Sequence, residues 1–161
     1  MTKILFVCHG NICRSPMAEF VMKDLVKKAG LEPRFQIESA ATSTEELGNP
    51  VYPPVRRKLA EEGIDCSGKT ARLLQREDYS RYHLLAGMDR ANLRNMTRIC
   101  GGDPESKLHL LLEFADRTDE VADPWYTRDF ETAWRDIQAG CQGLLRWCMQ
   151  RGSDPTAEKH S

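Results

Sequence analysis

Val7–Cys8–His9–Gly10–Asn11–Ile12–Cys13–Arg14–Ser15–Pro16 is the stretch on which the reading of this chain turns. Upstream, Lys3 to Val7 is a short apolar run containing Ile4, Phe6 and Val7, which reads as a buried strand that stops at Cys8. Gly10 and Asn11 accept the positive φ that a tight curl demands. Pro16 suits the first turn of a helix, where its missing N–H has no partner to lose. Met17, Val21, Leu25 and Ala29 then recur every four residues before Gly30 supplies a stop. The order is strand, loop, helix.

Working outward, the same order repeats. Phe35 and Ile37 mark a second strand, Ser39 to Pro54 a long loop with three prolines, and Val55, Leu59 and Ala60 a helix closed by Gly63. Tyr82 to Met88 and Leu108 to Phe114 are further apolar runs, separated by a helix from Asp89 to Arg98 and a Gly101–Gly102 turn. Phe130, Ala133, Trp134, Ile137, Cys141, Leu144, Leu145 and Cys148 form a helical stripe, which Gly140 and Gly143 each weaken by roughly 1 kcal/mol relative to Ala. Strands alternating with helices predict an α/β fold: three layers, a four-stranded parallel sheet with helices on both faces, and ligands bound beyond the carboxyl ends of the strands. Cys8 and its loop lie at such an end. One domain is expected over residues 1–151, followed by a polar tail over 152–161.

Composition narrows the classes. The 161 residues carry 23 basic and 24 acidic side chains, a formal charge of -1, which gives no electrostatic case for nucleic acid or an anionic membrane. An anionic ligand has to be attracted locally. The apolar N-terminal run is too short for a signal-peptide core, and no other stretch is long enough to span a bilayer. The six cysteines, at 8, 13, 66, 100, 141 and 148, contain no CxxC pair and no spacing typical of zinc ligands, so no metal or other cofactor is expected. Unpaired cysteines in such a chain fit the reducing cytoplasm.

The quoted loop is suited to a phosphate dianion. Successive N–H groups from His9 to Ser15 can point inward as a nest, the helix start adds its positive dipole end, and Arg14 can offer two parallel N–H bonds. The same surroundings favour the thiolate of Cys8, preparing a nucleophile, with Ser15 placed to donate to that sulfur or simply to cap the helix. Breaking a phosphate ester also needs a proton for the leaving oxygen. Asp123 is the candidate: in Asp123–Pro124–Trp125–Tyr126, Pro124 keeps Asp123 out of helical geometry, and the two aromatics can line a pocket mouth. The alternative for Asp123 is a turn that caps the last helix.

VCHGNICRSP near the N-terminus and DPWY before the last helix resemble the low-molecular-weight protein tyrosine phosphatase family, and the likeness runs the length of the chain. SAATS at Ser39 to Ser43, EEGID at Glu61 to Asp65, Ala71–Arg72, MDRANLRNM at Met88 to Met96 and DFETAW at Asp129 to Trp134 are similar to its patterns. The resemblance implies hydrolysis of phosphotyrosine in a protein or peptide. Cys8 would form a cysteinyl-phosphate, Arg14 would bind the transferring oxygens, and Asp123 would protonate the tyrosyl oxygen and later activate water. It further implies that Asn11 holds the loop with help from Ser39, that Ser15 assists the thiolate, and that Cys13 can trap an oxidised Cys8 as a disulfide.

Departures from the family pattern cluster around the mouth. His9 stands where an apolar residue is common, and Glu45 and Glu46 stand where an aromatic wall is common, with Tyr52 following in VYPP. Lys69 lies where a histidine supporting the loop asparagine is often found. Among other classes, an arsenate reductase needs a close cysteine pair that Cys66 and Cys100 do not make, and GxGxxG and GxxxxGK[ST] are absent. A protein arginine phosphatase shares the loop but typically has threonine where Ile12 stands and lacks the aromatic pair. A phosphate-binding module without chemistry would have no use for Cys8 with Asp123.

Overall fold

The computed structural model describes residues 1–151; the predicted polar tail lies outside the described residues. Strand β1 (Thr2–Cys8) is followed by α1 (Arg14–Lys28), a 3-10 turn, β2 (Phe35–Ala41), α2 (Pro53–Glu61), the short α3 (Asp78–Arg81), β3 (Leu84–Gly87) and α4 (Arg90–Cys100). Then come β4 (Leu108–Leu110), a 3-10 helix over Leu111–Ala115, the four-residue α5 (Pro124–Thr127) and α6 (Phe130–Gln150). All four strands are parallel, in the order β2-β1-β3-β4. The chain therefore leaves β1 in one direction along the sheet and returns to its other side with β3. Cys8 ends the strand at which that order reverses, where open α/β sheets place their ligands.

Alternation along β1 divides the interior in two. Ile4, Phe6 and Cys8 join a core with α1, α2 and α6, while Leu5 and Val7 join a second with α3, α4 and β3. Three sequence expectations shift in detail. Ser39 belongs to β2 rather than to a loop, and Pro53 and Pro54 open α2. The apolar run from Leu108 is strand only to Leu110, after which Leu111 and Leu112 turn into the core in 3-10 geometry. The glycines of α6 have a packing reason: a Cβ on Gly143 would stand 1.9 Å from the Phe114 carbonyl oxygen, and one on Gly140 2.5 Å from Leu111 Cγ. Their propensity cost is what lets the 3-10 helix lie against α6.

Candidate active site

The loop between β1 and α1 is fixed from outside by its carbonyls and from inside by one buried amide side chain. The carbonyls of Cys8, His9 and Ile12 accept from the N–H groups of Thr42, Ser43 and Tyr52 at 3.0, 3.1 and 2.8 Å. Asn11, 1% exposed, adopts φ 57, the left-handed conformation that Asn tolerates better than most residues. Its Nδ2 donates to Ser15 Oγ at 2.8 Å and to Ser39 Oγ at 2.9 Å, and its Oδ1 accepts from Arg72 N–H at 3.2 Å. Because Ser15 Oγ already accepts, its proton is available to the sulfur of Cys8, 3.0 Å away; the Ser15 N–H lies 3.4 Å from the same sulfur. Both groups can donate to the sulfur of Cys8.

Behind Asn11 the support continues as a chain of charges. Ser39 Oγ donates to Glu19 at 2.5 Å, and buried Glu19 is met by Lys23 at 2.6 Å and Lys69 at 3.5 Å. Lys69 also donates to the Ser39 carbonyl at 2.9 Å. Burial lowers the pKa of Lys69, and Glu19 opposes that shift. Lys69 thus supports Ser39, and through it the loop asparagine, without touching Asn11.

Arg14 is 3% exposed and its guanidinium is held on one edge. Nη1 donates to Asp89 Oδ2 at 2.8 Å and to the Val121 carbonyl at 2.9 Å, while Nη2 makes a longer 3.5 Å contact with Asp123 Oδ2. Burial alone would lower the pKa of this group, but Cys8, the Asp89 hydrogen bond and Asp123 more than reverse it, so the net shift is upward. Asp89 acts at two places, since its Oδ1 also accepts from Asn92 N–H at 2.7 Å as the cap of α4. Asp123 caps the short α5 through Oδ1, accepting from Trp125 N–H at 3.0 Å. The long α6 is capped by Asp129 instead, which leaves Asp123 Oδ2 to the pocket.

The pocket these groups form has a volume of about 110 Å³. Cys8, His9, Gly10, Ile12, Cys13 and Arg14 supply the loop side, and Asp123, Trp125 and Tyr126 the other predicted lining. The side chains of Asn11, Ser15 and Ser39 lie behind the lining, because Asn11 turns inward to bond both serines. Glu45 and Glu46 also line the pocket; Tyr52 does not. Tyr52 instead packs its ring 4.8 Å from that of Trp125 and accepts from Arg128 Nη1 at 2.8 Å. The two sulfurs of the loop differ in surroundings: burial first, then Cys8 and Asp123, push the pKa of Cys13 far up.

Sequence reasoning gave Asp89, Glu19 and Arg72 no part in this assembly, and it placed Tyr52 near the mouth without a partner. Asp89 was legible only as a helix start, and Glu19 only as a helical position between apolar neighbours. What exposes them is a hydrogen bond to Arg14 or to the support of Asn11, and neither partner is near in sequence.

Fold and loop together define a class of doubly wound α/β proteins that carry a cysteine inside an anion-binding loop closed by arginine. The chain belongs to the low molecular weight phosphotyrosine protein phosphatase family, whose model matches residues 3–153. It is 37% identical to the low molecular weight protein-tyrosine-phosphatase YfkJ of Bacillus subtilis over 90% of this chain and 94% of that protein. The crystal structure of YfkJ superposes with a TM-score of 0.91, covering 94% of this chain and 97% of the other at 35% identity. The low molecular weight protein tyrosine phosphatase SP-PTP of Streptococcus pyogenes follows at 0.81, with 38% identity over 92% and 94% of the two chains. A Drosophila arginine phosphatase, DARP, shares the fold at 0.83, with 27% identity over 91% and 97%.

Proposed function

We propose that this protein is a protein-tyrosine phosphatase acting on phosphotyrosine in proteins or peptides. The observation that carries the reading is the convergence on one small pocket of Cys8, with two donors on its sulfur, and of Arg14 and Asp123 beneath two exposed aromatics. Cys8 attacks phosphorus, and the P–O bond to tyrosine breaks as Asp123 delivers its proton to the departing oxygen. Asp123, now a carboxylate, takes a proton from water, whose oxygen displaces Cys8 from the cysteinyl-phosphate. Loop amides from His9 to Ser15 and Arg14 carry the charge of the three phosphoryl oxygens throughout. Asn11, Ser15 and Ser39 hold the loop, and Trp125 and Tyr126 flank the flat leaving group. Residues 1–151 act as one catalytic unit, which a single sheet with a core on each face supports.

Among the described residues no helix is long and apolar enough to cross a membrane. A cytoplasmic setting is the reading that six cysteines with no disulfide among the described residues fit. The decisive test is hydrolysis of an aryl phosphate with a chelator present. Cys8→Ser is expected to fall to about 10⁻⁴ of the original rate or less while still binding vanadate, whereas Arg14→Ala loses both. Robust turnover by Cys8→Ser overturns the mechanism. The likeness to DARP raises an arginine phosphatase as the second reading, and matched phosphotyrosine and phosphoarginine peptides separate the two.

The same pocket supports redox control. Peroxide converts the Cys8 thiolate to a sulfenic acid with loss of hydroxide, and Cys13 then displaces water to form a disulfide. Thiol treatment after peroxide is expected to restore the unmodified protein and to restore Cys13→Ser less. Equal recovery with no Cys8–Cys13 linked peptide by mass spectrometry leaves Cys13 as packing.

A further inference from the structure

Glu45 and Glu46 line the pocket, yet nothing in the hydrolysis above uses them. Their segment is fastened to the phosphate loop: Ser43 donates to the His9 carbonyl through both N–H and hydroxyl, at 3.1 and 3.0 Å, and Glu45 N–H reaches Ser43 Oγ at 3.5 Å. The segment that carries the two carboxylates is therefore fastened as a lip on a pocket whose floor is independently assigned. Glu45 Oε2 lies 2.9 Å from His9 Nε2, with the two side chains 68% and 50% exposed. The stem of Glu46 packs beside Gly10, and its carboxylate accepts from Asn49.

The charge balance of the lining gives the lip its meaning. Arg14 is the one Lys or Arg among the lining residues, and it already faces Asp89 and Asp123. A phosphate dianion thus finds its donors at the floor and two further carboxylates at the mouth. Such a mouth repels a bare dianion or an acidic peptide and attracts a substrate that carries its own cations. A peptide whose phosphate reaches Cys8 has two rims beside it, this lip and the side formed by Asp123, Trp125 and Tyr126. The faces of Trp125 and Tyr126, 41% and 80% exposed, offer a guanidinium or ammonium a second favourable surface.

We infer that the enzyme selects phosphotyrosines flanked by Lys or Arg, with Glu45 and Glu46 as the residues that set this preference. The inference rests on the phosphotyrosine reading. Exposed charge pairs are individually worth about a 1.5- to fivefold change in affinity, so two of them set an expected preference of about two- to 25-fold. Salt screens exposed charges, and the preference shrinks as ionic strength rises.

The test compares kcat/KM for three phosphotyrosine peptides identical except that the flanking positions are Arg, Gln or Glu. The basic peptide is expected to lead the neutral one by about two- to 25-fold at low salt, and the neutral one to lead the acidic. In the Glu45→Gln/Glu46→Gln protein the neutral and acidic peptides gain and the three rates converge; Glu45→Lys/Glu46→Lys reverses the order. Equal rates for the three peptides in the unmodified protein, or a basic preference that survives in the double variant, overturn the inference alone. Turnover of none of the peptides, with an aryl phosphate still hydrolysed, removes the phosphotyrosine reading and this inference with it.

Discussion

The phosphate loop from Cys8 to Ser15 and the acid loop from Val121 to Arg128 both reach Arg14, but they are held by different means. The first is almost wholly interior: Asn11, Arg14 and Ser15 are 1%, 3% and 0% exposed, and each carbonyl or side chain that fixes it has a buried or backbone partner. The second is pinned at its start, where Val121 donates to the Met88 carbonyl at 3.0 Å and accepts from Arg14, and then runs across the surface. Beyond Asp123 it depends on its own four-residue helix, on Tyr52 and on Arg128, which takes φ 63. A site that binds a phosphoryl group of fixed shape gains from donors placed before it arrives. The group that hands a proton to varied leaving groups has to be near, but need not be buried.

Outside Cys8 and Arg14 themselves, breaking the acid loop's chemistry is expected to give the largest effect. Asp123→Asn keeps the shape of the side chain and removes its proton, so kcat on phosphotyrosine should fall by about 10²–10³-fold. An ester whose leaving oxygen needs no proton should lose only a few-fold. Rates measured on a series of aryl phosphates check this, and equal losses across the series would place the acid elsewhere.

Breaking the phosphate loop from behind tests the other side of the comparison. Asn11→Ala leaves Ser15, Ser39 and Arg72 N–H without their partner and puts alanine at a positive φ, so stability should fall by about 2–4 kcal/mol. Binding of vanadate should weaken along with turnover of good and poor leaving groups alike. Thermal unfolding and vanadate titration read the two consequences, and intact vanadate affinity would show that the loop holds its curl without Asn11.

The contrast is sharpened most finely at Tyr52, which touches both loops. Its N–H bonds the Ile12 carbonyl, its ring packs on Trp125 and its hydroxyl accepts from Arg128. Tyr52→Phe removes only the last contact and should cost less than about 1.5 kcal/mol of stability. Turnover should drop about two- to fivefold for poor leaving groups and stay near unchanged for good ones, because the effect travels through the position of Asp123. A uniform change in kcat, or one confined to KM, would assign Tyr52 to substrate contact instead.

Much of this arrangement was legible in the chain because it is local. Strand, curl and helix start are contiguous, and Cys8, Arg14 and Ser15 owe their neighbourhood to a separation of at most seven residues rather than to the rest of the fold. Asp123 could be proposed because Pro124 and two aromatics mark an unusual loop, although capping the last helix was an equal local reading until Asp129 was seen to do that. Glu45 and Glu46 stood out as departures, but only their place on the pocket wall gave them a possible use.

The amino-acid sequence by itself determined the parallel sheet, the anion-binding curl and the nucleophile that begins it, since periodicity, glycine and proline placement and short-range spacing act within a few residues. Tertiary structure decided what completes them. Asp89 meets Arg14 across 75 positions, Lys69 reaches the Ser39 carbonyl across 30, and Arg128 reaches Tyr52 across 76. No local rule brings such pairs together. They meet because β1 lies between β2 and β3, so that the loops following the strands converge on one end of the sheet.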